Sequence, residues 1–190
     1  MNKNEILERL KEGNNNFIND KLNSNNQNSK RRASLTDGQN PFATILCCAD
    51  SRVVPELVFD TGLGELFVIG VAGNIANTSS VASIEYAVAK LDMTVIVVLG
   101  HESCGAVTAA VSGDDYGYNL NHLLAHIKPA ISSVAKNATV NDVAKANALQ
   151  NARDLVGRSS IISDAVKSGK LDIHAAYYNL ESGKVGFLSK

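Results

Sequence analysis

The chain has 190 residues, 45% of them hydrophobic, and a formal net charge of −1 at pH 7. This length can bury one sizeable core, so we expect a single domain over residues 1–190. The nearly balanced charge argues against a nucleic-acid-binding protein, and no stretch reaches the roughly 18 apolar residues that a membrane span needs. The charged, amphipathic start is unlike a secretory signal, so we expect a cytoplasmic protein.

The first half of the chain alternates between helical and strand patterns. A helix is predicted to about Phe17, and the Asn-rich and Ser-rich residues 19–40 favour an extended arm. The elements predicted after residue 40 are strands at 43–48, 65–70 and 94–99, a short helix at 55–59, and a helix over 81–91 that Ser79 and Ser80 could cap.

The second half is mainly helical and ends in strands. A helix is predicted to begin at Gly105, and residues 121–168 are helical with interruptions at Pro129, 137–141 and Gly157. Strands are expected at 171–178 and 185–188. This order predicts an α/β fold: a mostly parallel central sheet of four to five strands flanked by helices, with residues 1–40 as an N-terminal helical arm.

Two polar clusters follow two of the predicted strands. Cys48, Asp50 and Arg52 stand in CysAlaAspSerArg after the first strand, and His101 and Cys104 stand in GlyHisGluSerCysGly after the third. Open α/β sheets bind ligands beyond the carboxyl ends of strands, where strand order reverses, so we expect the clusters to converge. Two thiolates and one imidazole suit Zn²⁺ and leave one tetrahedral position for water or a carboxylate. The sequence therefore predicts one zinc per chain.

The fourth position of this zinc site has two interpretations. Asp50 could occupy it as a ligand, which would make the zinc structural. Alternatively, Arg52 could hold Asp50 in a bidentate pair and leave the position open, which would make the zinc catalytic. We favour the second interpretation, in which Asp50 and Arg52 are catalytic residues.

The other cysteine and histidine residues carry weaker signals. Cys47 alternates away from Cys48 along its strand and is predicted to be a core residue. The chain has no CysxxCys pair that would favour redox chemistry. His122 and His126 stand four apart on one helical face without a third partner, which favours surface or packing roles, and His174 is predicted to pack within the last strand.

Several motifs together resemble those of the β-class carbonic anhydrases. They are CysAlaAspSerArgValValProGlu, GlyGluLeuPheVal, AlaGlyAsn and GlyHisGluSerCysGlyAla, and the similarity extends from the N-terminal helix to AlaTyrTyrAsnLeuGluSerGlyLys near the end. The resemblance implies a lyase that hydrates carbon dioxide reversibly to bicarbonate and a proton. In this reading Cys48, His101 and Cys104 bind zinc, zinc-bound hydroxide attacks, and Asp50 with Arg52 gates the fourth position.

The resemblance also implies a substrate pocket and an assembly. Gln39, Phe67 and Tyr86 match residues that bind the substrate, and Gly105 offers a backbone amide beside it. In the family the equivalents of the first three reach the zinc across a subunit interface. We therefore expect a homodimer or a dimer of dimers, in which the N-terminal arm wraps the neighbour, with a small-molecule substrate and neither nucleic-acid nor membrane partners.

The chain departs from the family pattern at three positions. Gly70 stands where an arginine is common, and Ile45 stands where a tryptophan is found in members that a second bicarbonate inhibits. The resemblance therefore implies that this regulatory site is lacking, while Ala72, in place of a valine, slightly enlarges the pocket. Two other functions stay open: a zinc hydrolase of carbon disulfide or carbonyl sulfide on the same scaffold, and a non-catalytic protein stabilised by zinc.

Overall fold

The computed structural model describes residues 1–23 and 26–189. In this part of the chain five strands form one sheet in the order β2-β1-β3-β4-β5. The first four are parallel, and β5 is antiparallel to β4. The strands are β1 Ala43–Cys47, β2 Leu66–Gly70, β3 Val95–His101, β4 Asp172–Tyr178 and β5 Val185–Phe187. The predicted α/β class and mostly parallel sheet are confirmed.

Helices cover both faces of this sheet. Their bounds are α1 Lys3–Ile18, α2 Ser29–Ala33, α3 Pro55–Val58, α4 Thr78–Lys90, α5 Gly105–Ser112, α6 Tyr118–Ala125, α7 Lys128–Ser132, α8 Val140–Arg158 and α9 Ser160–Lys167. A short 3-10 turn, Ala72–Asn74, follows β2. None of the helices described is both long and apolar enough to cross a membrane.

The central strands β1 and β3 are buried along their whole length. Because side chains alternate between the faces of a strand, Ile45 and Cys47 pack with α1 on one face, while Leu46 packs with α4, α8 and α9 on the other. Apolar burial on both faces is typical of parallel strands between two helical layers. A third apolar cluster, around Cys48 and Cys104, lies beyond the carboxyl ends of these strands.

Strand order reverses at β1. The chain leaves β1 to form β2 on one side and then crosses through α4 to form β3 on the other side. A crevice therefore opens between the carboxyl ends of β1 and β3, which is where ligands bind in open α/β sheets.

Helix α1 packs on the sheet of its own chain. Ile6 and Leu10 are buried in the core beside β1 and β3. Asn14 is also buried, and its amide donates to the carbonyl oxygens of Val58 and Gly183 and accepts from the N–H of Val185. A buried amide with three partners joins the first helix to the hairpin that closes the chain.

The segment 19–40 differs from the predicted extended arm. It contains the short helix α2, which begins because the Asn28 side chain accepts a hydrogen bond from the N–H of Arg31. The Arg31 side chain in turn donates to the carbonyl oxygen of Leu63. Residues 29–33 are thus helical rather than extended, and residues 24 and 25 lie outside the described residues.

Three boundaries in the structure also differ from the predicted ones. Helix α4 begins at Thr78, and Asn77 caps it rather than Ser79 or Ser80. Strand β3 continues through His101, because that residue pairs with Tyr178 of β4. The break expected at Gly157 falls at Ser159, whose hydroxyl accepts the N–H of Ile162 and so starts α9.

Gly13→Ala is expected to lower the free energy of unfolding by about 3 kcal/mol, because α1 has no room for a larger residue there. A Cβ at this position would collide with the carbonyl oxygen of Phe59. Urea denaturation followed by circular dichroism measures the change.

Gly157→Ala is the matched control, since it makes the same change inside α8, where nothing lies within 4 Å of the added Cβ. It should raise stability by up to about 1 kcal/mol, because alanine is the better helix former. Equal unfolding midpoints for the two variants would contradict the observed packing of α1.

Candidate metal centre

Two cysteines and a histidine meet at the carboxyl edge of the sheet. Cys48 directly follows β1, His101 is the last residue of β3, and Cys104 occupies the N-cap position of α5. All three are buried, and their ligand atoms lie within 4.8 Å of one another. The structure thus brings together the three residues predicted to bind zinc.

The geometry of this triad fits a zinc ion. The sulfur atoms of Cys48 and Cys104 are 3.9 Å apart, close to the roughly 3.8 Å between two thiolates that bind zinc tetrahedrally at about 2.3 Å. Nδ1 of His101 lies 2.8 Å from the carbonyl oxygen of Glu102 and donates to it. Nε2 is buried and finds no hydrogen-bond partner among the described residues. A histidine that binds a metal usually donates one ring N–H to a carbonyl or carboxylate and binds the metal through the other ring nitrogen. His101 has this arrangement.

The two thiols of the triad share a hydrogen bond. The contact with Cys104 lowers the pKa of Cys48, and the backbone N–H of Gly73, 3.3 Å from the Cys48 sulfur, lowers it further. The same contact with Cys48 raises the pKa of Cys104. Cys48 is therefore the thiol that loses its proton more readily, and a divalent metal would bind both sulfurs as thiolates.

Cys47 has a different environment although it is the next residue in the chain. Its side chain is buried among Ile45 and other core residues on the α1 face of the sheet. Burial raises the pKa of Cys47 to about 12, and the nearby Cys48 adds to the effect. Cys47 is thus a neutral core residue, as its position along the strand predicts.

Asp50 and Arg52 form a close ion pair at the rim of the triad. Nε and Nη2 of Arg52 donate to the two carboxylate oxygens at 2.9 and 2.7 Å, and the backbone N–H of Arg52 donates to Asp50 Oδ1 at 3.0 Å. These bonds hold the pKa of Asp50 well below its usual range. Asp50 Oδ2 is also 3.9 Å from Nε2 of His101.

The loop between His101 and Cys104 is held by residues that sequence reasoning missed. Ser103 has a left-handed backbone with φ +50°, and its N–H donates to Asn141 at 2.9 Å. The Glu102 carboxylate accepts from the side chain of Asn179 and the N–H of Leu180. Asparagine is common in loops and helix starts, so the sequence carried no signal for these roles.

The predicted pocket residues lie together, apart from the triad of the same chain. The rings of Phe67 and Tyr86 stack with centroids 6.2 Å apart, Tyr86 is 50% exposed, and Gln39 lines the same open groove as Tyr86. Phe67 is in register with Thr44, about 13 Å before Cys48 along the sheet. Gly105, in contrast, is the first residue of α5 and adjoins Cys104.

The remaining histidines are engaged in packing. The rings of His122, on α6, and His126, the residue that follows α6, meet edge to face at 5.8 Å, and burial is the main cause that lowers the pKa of His126. His174 meets Phe187 edge to face at 6.1 Å. Across the described residues, the His, Cys, Asp and Glu groups that could hold a metal comprise only the triad.

Known proteins share this arrangement of sequence and fold. A family model described as carbonic anhydrase matches residues 43–185, and carbonic anhydrase 2 of Mycobacterium tuberculosis is 37% identical over 181 residues, covering 92% of this chain and 87% of the relative. The chain belongs to the β-carbonic anhydrase family. It is therefore a zinc enzyme and a lyase that acts on a small molecule.

Solved β-carbonic anhydrases have the same fold. The β-carbonic anhydrase CafA of Aspergillus fumigatus superposes on this chain with a TM-score of 0.76 at 26% identity. The match covers 84% of this chain and 81% of CafA. A tetrameric β-carbonic anhydrase of Sordaria macrospora also gives a TM-score of 0.76, at 24% identity, over 99% of this chain and 98% of its own. At 24% identity, the similarity to the Sordaria macrospora enzyme shows a shared fold and nothing more.

Cys48→Ala is expected to abolish stable zinc binding, whereas Cys47→Ala should keep about one zinc per chain. The two changes are chemically identical at adjacent residues, but only the Cys48 sulfur faces His101 and Cys104. Elemental analysis after dialysis against a weak chelator measures the zinc content. Full zinc occupancy in Cys48→Ala would contradict the assignment of this ligand.

Proposed function

We propose that Cys48, His101 and Cys104 bind a catalytic zinc, with which the chain hydrates carbon dioxide reversibly to bicarbonate and a proton. One observation carries the proposal. The carboxylate nearest to the triad, Asp50, is bound by Arg52 through three hydrogen bonds. Such a pair leaves the fourth zinc position open for chemistry.

Two measurements support an open fourth position. Asp50 is not part of the group whose ligand atoms all lie within 4.8 Å. Its Oδ2 is 3.9 Å from Nε2 of His101, whereas nitrogen and oxygen ligands of a tetrahedral zinc lie about 3.4 Å apart. These distances support an Asp50 that contacts a molecule in the fourth position without occupying it.

Asp50 and Gly105 have complementary roles in the proposed reaction. When bound, zinc supplies the Lewis acidity that lets water react as a nucleophile near neutral pH. Asp50, kept ionised by Arg52, can only accept hydrogen bonds, so it takes one from the reacting water and orients the lone pair toward the carbon of the substrate. The exposed N–H of Gly105 at the start of α5 donates to the substrate oxygen as its negative charge develops.

The substrate pocket is proposed to be completed by a second copy of the chain. Gln39, Phe67 and Tyr86 gather on an exposed surface away from their own triad. In a two-fold dimer the same surface of the partner can face the triad, so each chain supplies the zinc ligands of one site and the apolar wall of the other. Because α1 packs on its own sheet, the segment that would wrap the partner is residues 19–40.

Arg52→Lys is expected to reduce CO2 hydration about 10- to 100-fold while zinc is retained. Lysine keeps the positive charge but loses the two parallel N–H donors, so Asp50 becomes free to enter the fourth position. Stopped-flow measurement of CO2 hydration, with zinc assayed in parallel, tests the change.

Arg9→Lys provides the matched control, because Arg9 forms an equally short ion pair with Glu65 far from the triad. This variant should retain wild-type activity. Full activity in Arg52→Lys would contradict the proposed role of the pair.

The wild-type protein also decides between the proposed function and the two alternatives. Wild-type protein with full zinc that releases sulfide from carbonyl sulfide but does not hydrate CO2 would favour the hydrolase. Wild-type protein with full zinc that acts on neither substrate would favour a structural zinc.

Mixing Gln39→Ala with Cys48→Ala subunits is expected to restore about a quarter of wild-type activity, although each variant alone should be nearly inactive. Half of the randomly formed dimers are mixed, and one of their two sites then combines an intact triad with an intact Gln39. Co-expression with two different affinity tags and stopped-flow assay of the whole dimer population measures this recovery, and the purified mixed dimers should reach about half of wild-type activity.

Mixing Arg52→Lys with Cys48→Ala is the control for this experiment. Arg52 binds Asp50 within its own chain, so every site in the mixed dimer is defective and no activity should return. If the Gln39→Ala mixture also stays inactive, the pocket is not shared between subunits.

A further inference from the structure

A hydrogen bond from the backbone reaches the Cys48 sulfur. The N–H of Gly73 donates to it at 3.3 Å. Bonds of this kind lower the energy of the sulfur lone pairs and fix the direction in which they point, and such outer partners affect metal affinity strongly. The position of the Gly73 amide is therefore part of the metal centre.

The backbone around Gly73 is in an uncommon conformation. Gly73 has φ +74°, and Asn74 follows with φ +44°. Two successive left-handed residues persist only where the surroundings hold them. On the strand side, the N–H of Val71 donates to the carbonyl oxygen of Cys47. Within the turn, the N–H of Asn74 donates to the carbonyl oxygen of Val71 at 2.9 Å, and further supports come from another helix.

Two buried asparagines of α8 supply these supports. Asn147 Nδ2 donates to the carbonyl oxygen of Gly73 at 2.8 Å, and Asn151 Oδ1 accepts from the N–H of Ala76 at 2.7 Å. Asn151 Nδ2 then donates to the side-chain and backbone oxygens of Asn147 at 2.9 and 2.8 Å. The exposed fractions are 0% for Asn147 and 1% for Asn151.

The orientation of both amides is fixed by their partners. A backbone N–H can only donate, so Asn151 must turn its oxygen toward Ala76 and its nitrogen toward Asn147. A carbonyl oxygen can only accept, so Asn147 must turn its nitrogen toward Gly73. Asparagine is a poor residue for a helix interior, and burying an amide is costly unless it is bonded. The pair therefore has a specific role at this place.

The role of Asn147 is to position the backbone at Gly73. The N–H that reaches Cys48 belongs to the peptide unit before Gly73, whereas the carbonyl that Asn147 binds belongs to the unit after it. Asn147 thus does not polarise the donating N–H directly. It fixes the left-handed turn, and the turn aims the N–H at the sulfur.

We propose that Asn147 and Asn151 are positioning residues of the zinc centre, which hold Gly73 where its amide bonds to the Cys48 thiolate. The inference rests on the proposed role of Cys48 as a zinc ligand. Loss of either asparagine loosens the turn, weakens the N–H to sulfur bond, and makes the sulfur a higher-energy electron donor toward the metal.

The test uses the whole chain carrying Asn147→Leu or Asn151→Leu, which keep the branched shape of the side chain and remove the hydrogen bonds. In Co²⁺-substituted protein, the sulfur-to-cobalt charge-transfer band should move to longer wavelength, because the sulfur lone pairs rise in energy. Competition with a chromophoric chelator should show zinc binding about tenfold weaker, because the loosened turn no longer holds the Cys48 sulfur in place, and this loss outweighs the stronger electron donation.

Leu155→Ala is the matched control for lowered stability. Leu155 is fully buried on the same helix and packs against the opposite side of the sheet from α1 rather than against Gly73. It should lower the denaturation midpoint and leave both the band position and the zinc affinity unchanged. If Asn147→Leu does not fold, Asn147→Ser is compared with Leu155→Ala by the same two readouts.

The outcomes separate this inference from the proposed function. An unmoved band and unchanged zinc affinity in the asparagine variants, or equal changes in Leu155→Ala, would overturn the positioning role alone. A wild-type protein that shows no sulfur-to-cobalt band would instead overturn the ligand role of Cys48, on which the inference rests.

Discussion

The approach of two sulfur atoms to 3.9 Å, from residues 56 positions apart in the chain, is the constraint on which the rest of the structure depends. Two buried thiolates repel each other, so a divalent metal between them makes their proximity favourable. The fold achieves this approach by ending β1 at Cys47 and β3 at His101 side by side. The parallel sheet thus serves as a frame that brings the two motifs together at one edge.

Around this pair, the protein orients groups that are not ligands themselves. Arg52 holds Asp50, the carbonyl of Glu102 orients the His101 ring, and Gly73 donates to the Cys48 sulfur. Each of these contacts restricts one rotation or one protonation state in the centre. Zinc sites in proteins depend on such outer contacts nearly as much as on their ligands.

The sequence allowed the strands and the triad to be predicted, because both follow from local pattern. Continuous apolar runs indicate buried parallel strands, and the cysteine and histidine clusters stand directly after two of them. Helix boundaries were less accessible. Asn77, Ser79 and Ser80 are all good caps, and only the three-dimensional position of the Asn77 oxygen decides between them. Helix α2 has a local cap in Asn28, but its hydrogen bond from Arg31 to the distant Leu63 is a tertiary contact.

The supports of the metal centre could not be predicted for a different reason. The left-handed turns at Gly73 and Ser103 are stabilised by Asn147 and Asn141, which lie 74 and 38 residues away in sequence. A single sequence contains no local signal for such pairs. Their recognition requires knowledge of which helix packs over which turn, and that is a property of the tertiary structure.

The three hydrogen bonds of Asn14 bear on the order in which the fold assembles. Two of its partners, Gly183 and Val185, lie 169 and 171 positions further along the sequence. Contacts of such long sequence separation slow folding, because a large loop of chain must close before they form. We therefore expect α1 to dock late in folding, after the sheet has formed, and the apolar face that α1 covers stays exposed until that step.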